Sequence, residues 1–350
     1  SRVESLRQVI FQKELGTVHD KTKRVAGLAR ELAGSLGADP AHCERAALLS
    51  KTDLVSEMVL EFSDLQGIAG AYYARNDGEP EAVATALQQQ YWPRFSGDRL
   101  PAEPVATCLA LADRLDTLVG IFGIGQPPTG SRDPFALRRA SLAVLRILVE
   151  KGIDIDLRDY LQLARDQYPD GVLTSDRIEP VLDYMLERFR AWFEDEGIPT
   201  EHVRAVAALG LTRPLEFQQR VHAVHRFSGL AESTALAAAN KRVANILGKL
   251  DAGHVFAAVD PTRFVEDEER ALWQSLEQLS SASRRHLAAG AYTEALAELA
   301  ALRDPVDAFF DRVMVNVEDE ALRRNRLNLL QELRLLFLQV ADISQLVVSR

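Results

Sequence analysis

Cysteine is scarce: Cys43 and Cys108 are the only two in 350 residues. That excludes a disulfide framework and an all-cysteine zinc site, and it fits a reducing cytosol. Long apolar runs are also missing. No stretch approaches the roughly 18 uncharged apolar residues that a membrane span needs. The N-terminal run SRVESLRQVIFQ lacks the basic and apolar regions of a secretory signal. Ser1 stands where an initiator Met would, which suggests a piece of a longer chain. An excess of basic residues is absent too. Lys and Arg number 41 against 51 Asp and Glu, a formal net charge of -10. Blanket nucleic-acid binding is therefore disfavoured. A local basic stripe is not, because phosphate contacts act within a Debye length of about 8 Å. Period-two runs rich in Val, Ile and Thr are nearly absent, so the expected fold class is all-α.

What is present reads as helices in several domains. Hydrophobic content of 47% and charged content of 26% are ordinary for a globular chain. Residues 1–127 read as one helical domain, with Val25, Leu28, Ala29 and Leu32 at helical spacing and a stop at Gly37. A Gly/Pro-rich stretch, LDTLVGIFGIGQPPTGSRDPF, runs from Leu115 to Phe135. Asp133-Pro134 then predicts a helix start, with Leu137, Ser141, Val144, Leu145 and Leu148 facing inward. Residues 128–235 read as a helical connecting body, and 236–350 as a helical bundle. In that bundle Val243, Ile246, Leu247 and Leu250 share one helix face. Lys241, Arg242, Asn245 and Lys249 share the other. Asp304-Pro305 repeats the Asp-Pro start.

Motifs for chemistry are mostly missing. The glycine-rich stretch lacks the Gly-Lys-Ser/Thr of a phosphate loop and the preceding strand of a dinucleotide fold. It reads instead as a bend between domains. No G-x-S-x-G elbow occurs, and His222 and His225 lack zincin spacing. Three segments resemble the HD superfamily of metal-dependent phosphohydrolases: KTKRVAGLARELAGSLG, CERAALLSKTDL and LALADRLDTL. That resemblance implies a His near position 21 and a His-Asp pair where Ser50-Lys51 stands. Only Asp113 matches its ligand. Ammonium groups at Lys21 and Lys51 would repel a divalent cation, so no metal is expected. A rearranged site from His19, Asp53 and Asp116 stays open. The runs Glu266–Arg270 and Glu318–Glu320 read as solvated helix starts. Within RRNR (Arg323–Arg326), Arg326 projects into an apolar sector. It requires either an internal carboxylate or contact with RNA.

Over nearly the whole length the sequence resembles the β subunit of bacterial heterotetrameric glycyl-tRNA synthetase. SKTDLVSEMVLEFSDLQGIAGAYYA, LADRLDTLVGIFGIGQPPTGSRDPFALRRASLAVLRIL and PVDAFFDRVMVNVEDEALRRNRLNLLQEL carry the likeness. Ala69 departs from it, standing where Met is usual. The terminal bundle is also similar to the anticodon-binding domain of arginyl-tRNA synthetase-like enzymes. The resemblance implies a degenerate HD-like domain, a helical body and an anticodon-binding bundle. It implies a cytoplasmic α2β2 ligase for glycine and its tRNA. There the α subunit uses ATP and magnesium, and the β half seen here is a non-catalytic tRNA binder without cofactor, membrane or DNA partner. Acceptor-arm contact by the HD-like domain is a further expectation. The expected tRNA contacts are Lys241, Arg242, Asn245, Lys249, Arg323, Asn325 and Arg326. A live HD phosphohydrolase and a scaffold that only docks the α subunit are the competing readings.

Overall fold

The computed structural model describes residues 2–346 apart from 176 and 252. Helices supply nearly all of its regular structure, as the pattern predicted. The exception is a small antiparallel hairpin, β1 (Ile10–Gln12) with β2 (Gly16–Thr17). No described helix is long and apolar enough to cross a membrane. By its contacts the chain divides into two compact units, Ser1–Phe189 with Thr212–Leu215, and Arg190–Leu211 with Glu216–Arg350.

The first unit is built around one long buried helix. Its longer helices are α1 (Val18–Ala33), α2 (Pro40–Leu49), α3 (Ile68–Asn76), α4 (Glu81–Gln89), α5 (Pro104–Gly123), α6 (Leu137–Glu150), α7 (Leu157–Asp166) and α8 (Glu179–Leu186), beside two short ones, Arg2–Ser5 and Glu57–Glu61. Thr17 starts α1 with a capping box: its hydroxyl accepts from the Asp20 N–H, and Asp20 accepts from the Thr17 N–H. Asp39 caps α2 ahead of Pro40. Most of the circumference of α5, the central helix, is buried, and α1, α2, α4, α6 and α7 pack against it.

The glycine-rich stretch begins as the last turns of α5, which ends at Gly123, and its remainder is loop. A Cβ on Gly120 would lie 2.1 Å from the Tyr168 hydroxyl, and one on Gly123 would lie 2.8 Å from Leu173. Both glycines therefore permit close helix packing. Thr174 and Ser175 donate backbone N–H groups to the Gly123 carbonyl, at 2.8 and 3.0 Å. α6 begins at Leu137, not at Asp133-Pro134. Asp133 still caps it from outside, accepting from the N–H groups of Leu137 (2.8 Å) and Arg138 (3.0 Å), while Ala136 turns at φ 54°. The predicted inward stripe of α6 is buried. Because that stripe packs on α5, no boundary between units falls near 127, and the segment 128–235 is shared between the two units.

The second unit contains most of α9 (Arg188–Asp195), then α10 (Thr200–Ala207), most of α11 (Pro214–Ser228), α12 (Ser233–Leu247), α13 (Asp267–Ala288), α14 (Tyr292–Leu299), α15 (Arg303–Arg312) and α16 (Glu320–Leu338). α12 packs on α15 and α16, and α13 packs on α14, α15 and α16. α15 begins at Arg303, so Asp304-Pro305 sits within its first turn and does not cap it. Leu329, Leu333, Leu336, Phe337 and Val340 form the predicted buried stripe of the last helix and its exit, with Leu322 at its edge.

Candidate nucleic-acid interface

Two polar constellations stand out, one in each unit. In the first unit, Lys21 on α1 and Lys51 after α2 converge on Asp113 of α5. The Lys21 Nζ lies 3.2 Å from Asp113 Oδ1, and the Lys51 Nζ lies 3.3 Å from Oδ2. Lys21 also donates to Asp116 Oδ2 (2.9 Å) and to the Thr117 hydroxyl (2.8 Å). Lys51 donates to Gln90 Oε1 at 2.9 Å. Arg24 completes the pairing of Asp116, Nε to Oδ1 at 2.7 Å. Burial alone would raise the Asp113 carboxyl. Lys21, Lys51 and Arg114 outweigh it and hold the group far below the ordinary carboxylate range.

This chemistry does not suit a metal. Both Asp113 oxygens already face an ammonium group, and the Ser50 hydroxyl donates to the Ala47 carbonyl at 2.8 Å. The rearranged set fares no better. Asp53 accepts from the N–H groups of Gly67 (2.6 Å) and Gly70 (3.1 Å). Burial lifts its carboxyl above the ordinary value. Asp116 is spent on Arg24 and Lys21. Two positive charges stand where a metal-binding fold would keep ligands, and they oppose the approach of a divalent cation.

In the second unit, a groove of about 770 Å³ opens between the end of α12, the loop from Val313 to Asn316 and the start of α16. Arg242, Ile246 and Lys249 line one wall. They lie four and three residues apart, so all three share one face of the helical path. The expected separation of Ile246 from Arg242 and Lys249 is thereby corrected. Arg323 and Arg324 line the opposite wall, and Leu250, Val313, Val315 and Leu327 supply apolar surface. Met314 adds a side chain that is 71% exposed. The Arg242 guanidinium rests 4.3 Å over the Phe310 ring. Four cations face two carboxylates, Asp251 and Glu320, so the groove is basic on an acidic chain. Glu320 sits 3.9 Å from Arg323, on the exposed rim.

The sequence-predicted contacts divide three ways. Arg242, Lys249 and Arg323 meet in the groove. Lys241 and Asn245 lie on α12 but are not among its lining residues. Asn325 and Arg326 are 3% exposed, and as RNA contacts they are corrected. The Asp260 N–H donates to Asn325 Oδ1 at 2.8 Å, and Asn325 Nδ2 donates to the Asp260 carbonyl at 3.0 Å. The Ala257 N–H donates to Asn328 Oδ1 at 3.2 Å. These amides fasten the segment 257–260 to α16, Asn325 through a reciprocal pair of bonds and Asn328 through one. Arg326 donates Nε to Glu269 Oε1 (2.9 Å), Nη2 to Glu269 Oε2 (3.2 Å) and Nη1 to the Met314 carbonyl (2.8 Å).

Glu269 is fully buried, contrary to the solvated helix start expected of Glu266–Arg270. It accepts from the N–H groups of Val265 (3.0 Å) and Glu266 (2.8 Å), closing the capping box of α13. Burial pushes its carboxyl up, and Arg326 with the two backbone donors brings it below the ordinary value. Arg326 therefore ties α16 to the start of α13 and to the groove wall at Met314. Sequence reasoning passed over Arg324, Met314 and His254 as lining residues. Arg324 carried a signal, its place in the RRNR run.

Comparison with known proteins matches these two regions to two family models. Residues 1–208 match the glycyl-tRNA synthetase beta subunit, and residues 236–343 match the DALR anticodon binding domain. The chain is 55% identical to the glycine–tRNA ligase beta subunit of Chromohalobacter salexigens over 99% of its own length and 50% of that protein's. It is 54% identical to the beta subunit of Vibrio campbellii with the same coverage. The chain thus spans about half the length of the curated relatives it matches. With the first model covering more than half of it, the chain belongs to the glycyl-tRNA synthetase beta subunit family.

Proposed function

We propose that this chain is a tRNA-recognition part of a glycine–tRNA ligase, gripping the anticodon stem-loop of glycine tRNA in the groove of the second unit. One observation carries the reading. The basic, partly apolar groove lies within the segment similar to the DALR anticodon binding domain. Single-stranded loops are bound by cations that meet phosphates and by side chains that cover unstacked bases. Arg242, Lys249, Arg323 and Arg324 would serve the first role, and Met314 with its apolar neighbours the second.

On this reading no residue of the chain is catalytic. Attachment of glycine, with ATP and magnesium, belongs to an α subunit in a cytoplasmic α2β2 enzyme. A phosphohydrolase is disfavoured by the ammonium groups of Lys21 and Lys51 on Asp113. Protection footprinting of glycine tRNA by this chain tests the proposal. Protection of the anticodon loop is expected, and a second protected region would mark acceptor-arm contact by the first unit. A pattern that leaves the anticodon loop fully reactive would overturn the assignment.

A further inference from the structure

Phe95 lies in the loop between α4 and α5 of the first unit, with its side chain 61% exposed. An exposed aromatic ring alone is ordinary surface. The backbone beneath this one is unusually well held. Arg114 of α5 donates to the carbonyls of Gln90 (2.8 Å), Tyr91 (3.2 Å), Trp92 (3.1 Å) and Pro93 (3.2 Å). Arg146 of α6 donates to the carbonyls of Phe95 (3.3 Å) and Asp98 (3.0 Å). The Asp98 N–H closes a turn onto the Phe95 carbonyl at 3.2 Å, and Gly97 supplies the positive φ of 78°. Two partly buried arginines from two helices thus fix the segment that carries the ring. Binding to a surface set in advance costs less ordering than binding to a slack loop.

The side chains beside the ring are cationic toward solvent. The Arg94 side chain is 56% exposed, and Arg99 is exposed with its guanidinium 3.6 Å over the Trp92 ring. Asp98 is the one carboxylate among residues 91–100, and it turns inward. It is 8% exposed and accepts from the N–H groups of Arg94 (2.8 Å) and Arg99 (3.0 Å) and from Arg94 Nε (3.3 Å). Glu150 pairs with Arg146. Cations facing out and the carboxylate facing in suit an anionic partner, and an exposed ring suits a flat apolar face. A nucleotide with an unstacked base offers both.

We propose that Phe95, with Arg94 and Arg99, forms a stacking platform on the first unit for an unpaired nucleobase of RNA. The base covers the Phe95 ring, and the two arginines meet the adjoining phosphates. The inference rests on the tRNA reading above and extends it, since this base is separate from those held in the groove of the second unit. Stacking tolerates every base because each has a π-face, so the platform holds RNA without reading its sequence.

The test titrates the chain with glycine tRNA and footprints the complex. Phe95→Ala should weaken binding by roughly 5- to 100-fold, the range of one base–aromatic stack, with an unchanged salt slope. Phe95→Trp should restore the affinity, whereas Phe95→Leu, apolar but without a π-face, should not. Arg94→Ala with Arg99→Ala should lower the log–log salt slope by about 1.4, at about 0.7 per phosphate contact. In footprinting, Phe95→Ala should unmask an unpaired region outside the anticodon loop while the loop stays protected. The proposal is overturned if Phe95→Leu binds as tightly as the unaltered chain. It is also overturned if Phe95→Ala binds tRNA normally but no longer binds the α subunit, which makes the surface a protein contact. If the unaltered chain binds no tRNA, the tRNA reading fails with it. If the unaltered chain protects the anticodon loop and Phe95→Ala changes neither affinity nor footprint, only this inference fails.

Discussion

Replacing Arg326 by Ala separates a structural arginine from an RNA-binding one. Arg326 makes two charged bonds to the fully buried Glu269 and one to the Met314 carbonyl. Removing one partner of a buried pair strands the other charge, at a cost of about 3–5 kcal/mol. Glu269 retains two backbone N–H donors, from Val265 and Glu266, which moves the expectation to the lower end, about 3 kcal/mol. For a unit of roughly 150–250 residues, that lowers the melting temperature by about 6–12 °C. Lys in place of Arg supplies one point charge for three fixed bonds and should recover only part of the loss. Arg326→Met with Glu269→Gln removes both charges, while the Gln oxygen still caps α13. The double variant should be more stable than Arg326→Met alone. Urea unfolding of these variants measures the differences, and a tRNA titration of each reports the salt slope. The reasoning is refuted if Arg326→Ala unfolds within about 0.5 kcal/mol of the unaltered chain while its tRNA salt slope falls.

Two further predictions concern charge in the other buried clusters. Asp113→Asn leaves the Lys21 and Lys51 ammonium groups facing each other, so a loss of about 2–3 kcal/mol is expected for this partly exposed site. The Asp113 carboxyl is held below its unfolded value, so its stabilisation is complete above about pH 4 and fades as pH falls further. The gap between Asp113→Asn and the unaltered chain should be full at pH 7 and narrower at about pH 3, and a gap independent of pH contradicts the assignment. His202 and His225 place their Nδ1 atoms 3.2 Å apart, and burial followed by the charge of His225 lowers the His202 pKa. The unfolded chain then takes up the proton first. Stability should fall as pH drops below about 6.5, with a slope of at most about 1.4 kcal/mol per pH unit from this group. His202→Gln should flatten that slope, and equal slopes in both proteins would count against the pairing.

The helices were legible in the sequence because their apolar residues recur at helical spacing and their starts carry Thr, Asp or Pro. The stripes of α1, α6 and α16 are buried as read. Partners distant in sequence were not legible. Periodicity places Arg326 in an apolar sector, but only the fold brings it to Glu269, 57 residues away. The same limit hid the role of Asn325, whose partner Asp260 lies 65 residues away. Gly120 and Gly123 look like loop glycines in one dimension. Tyr168 and Leu173 make them packing residues in three. Ser50, Lys51 and Asp113 were readable as a constellation because a family pattern supplied their neighbours. The reach of Lys21 and Lys51 to opposite oxygens of one carboxylate required the structure.

The central claim is that the second unit binds tRNA through the cations of one groove. Its most direct measurement is the affinity of the chain for glycine tRNA between about 50 and 200 mM salt. The unaltered chain is compared with a variant carrying Ala at Arg242, Lys249, Arg323 and Arg324. Four phosphate contacts on a single-stranded loop predict a log–log slope near -3 from these residues, at about -0.7 per contact. The variant should bind much more weakly and lose most of that slope while keeping its melting temperature. An unchanged affinity and slope in the folded variant would contradict the account.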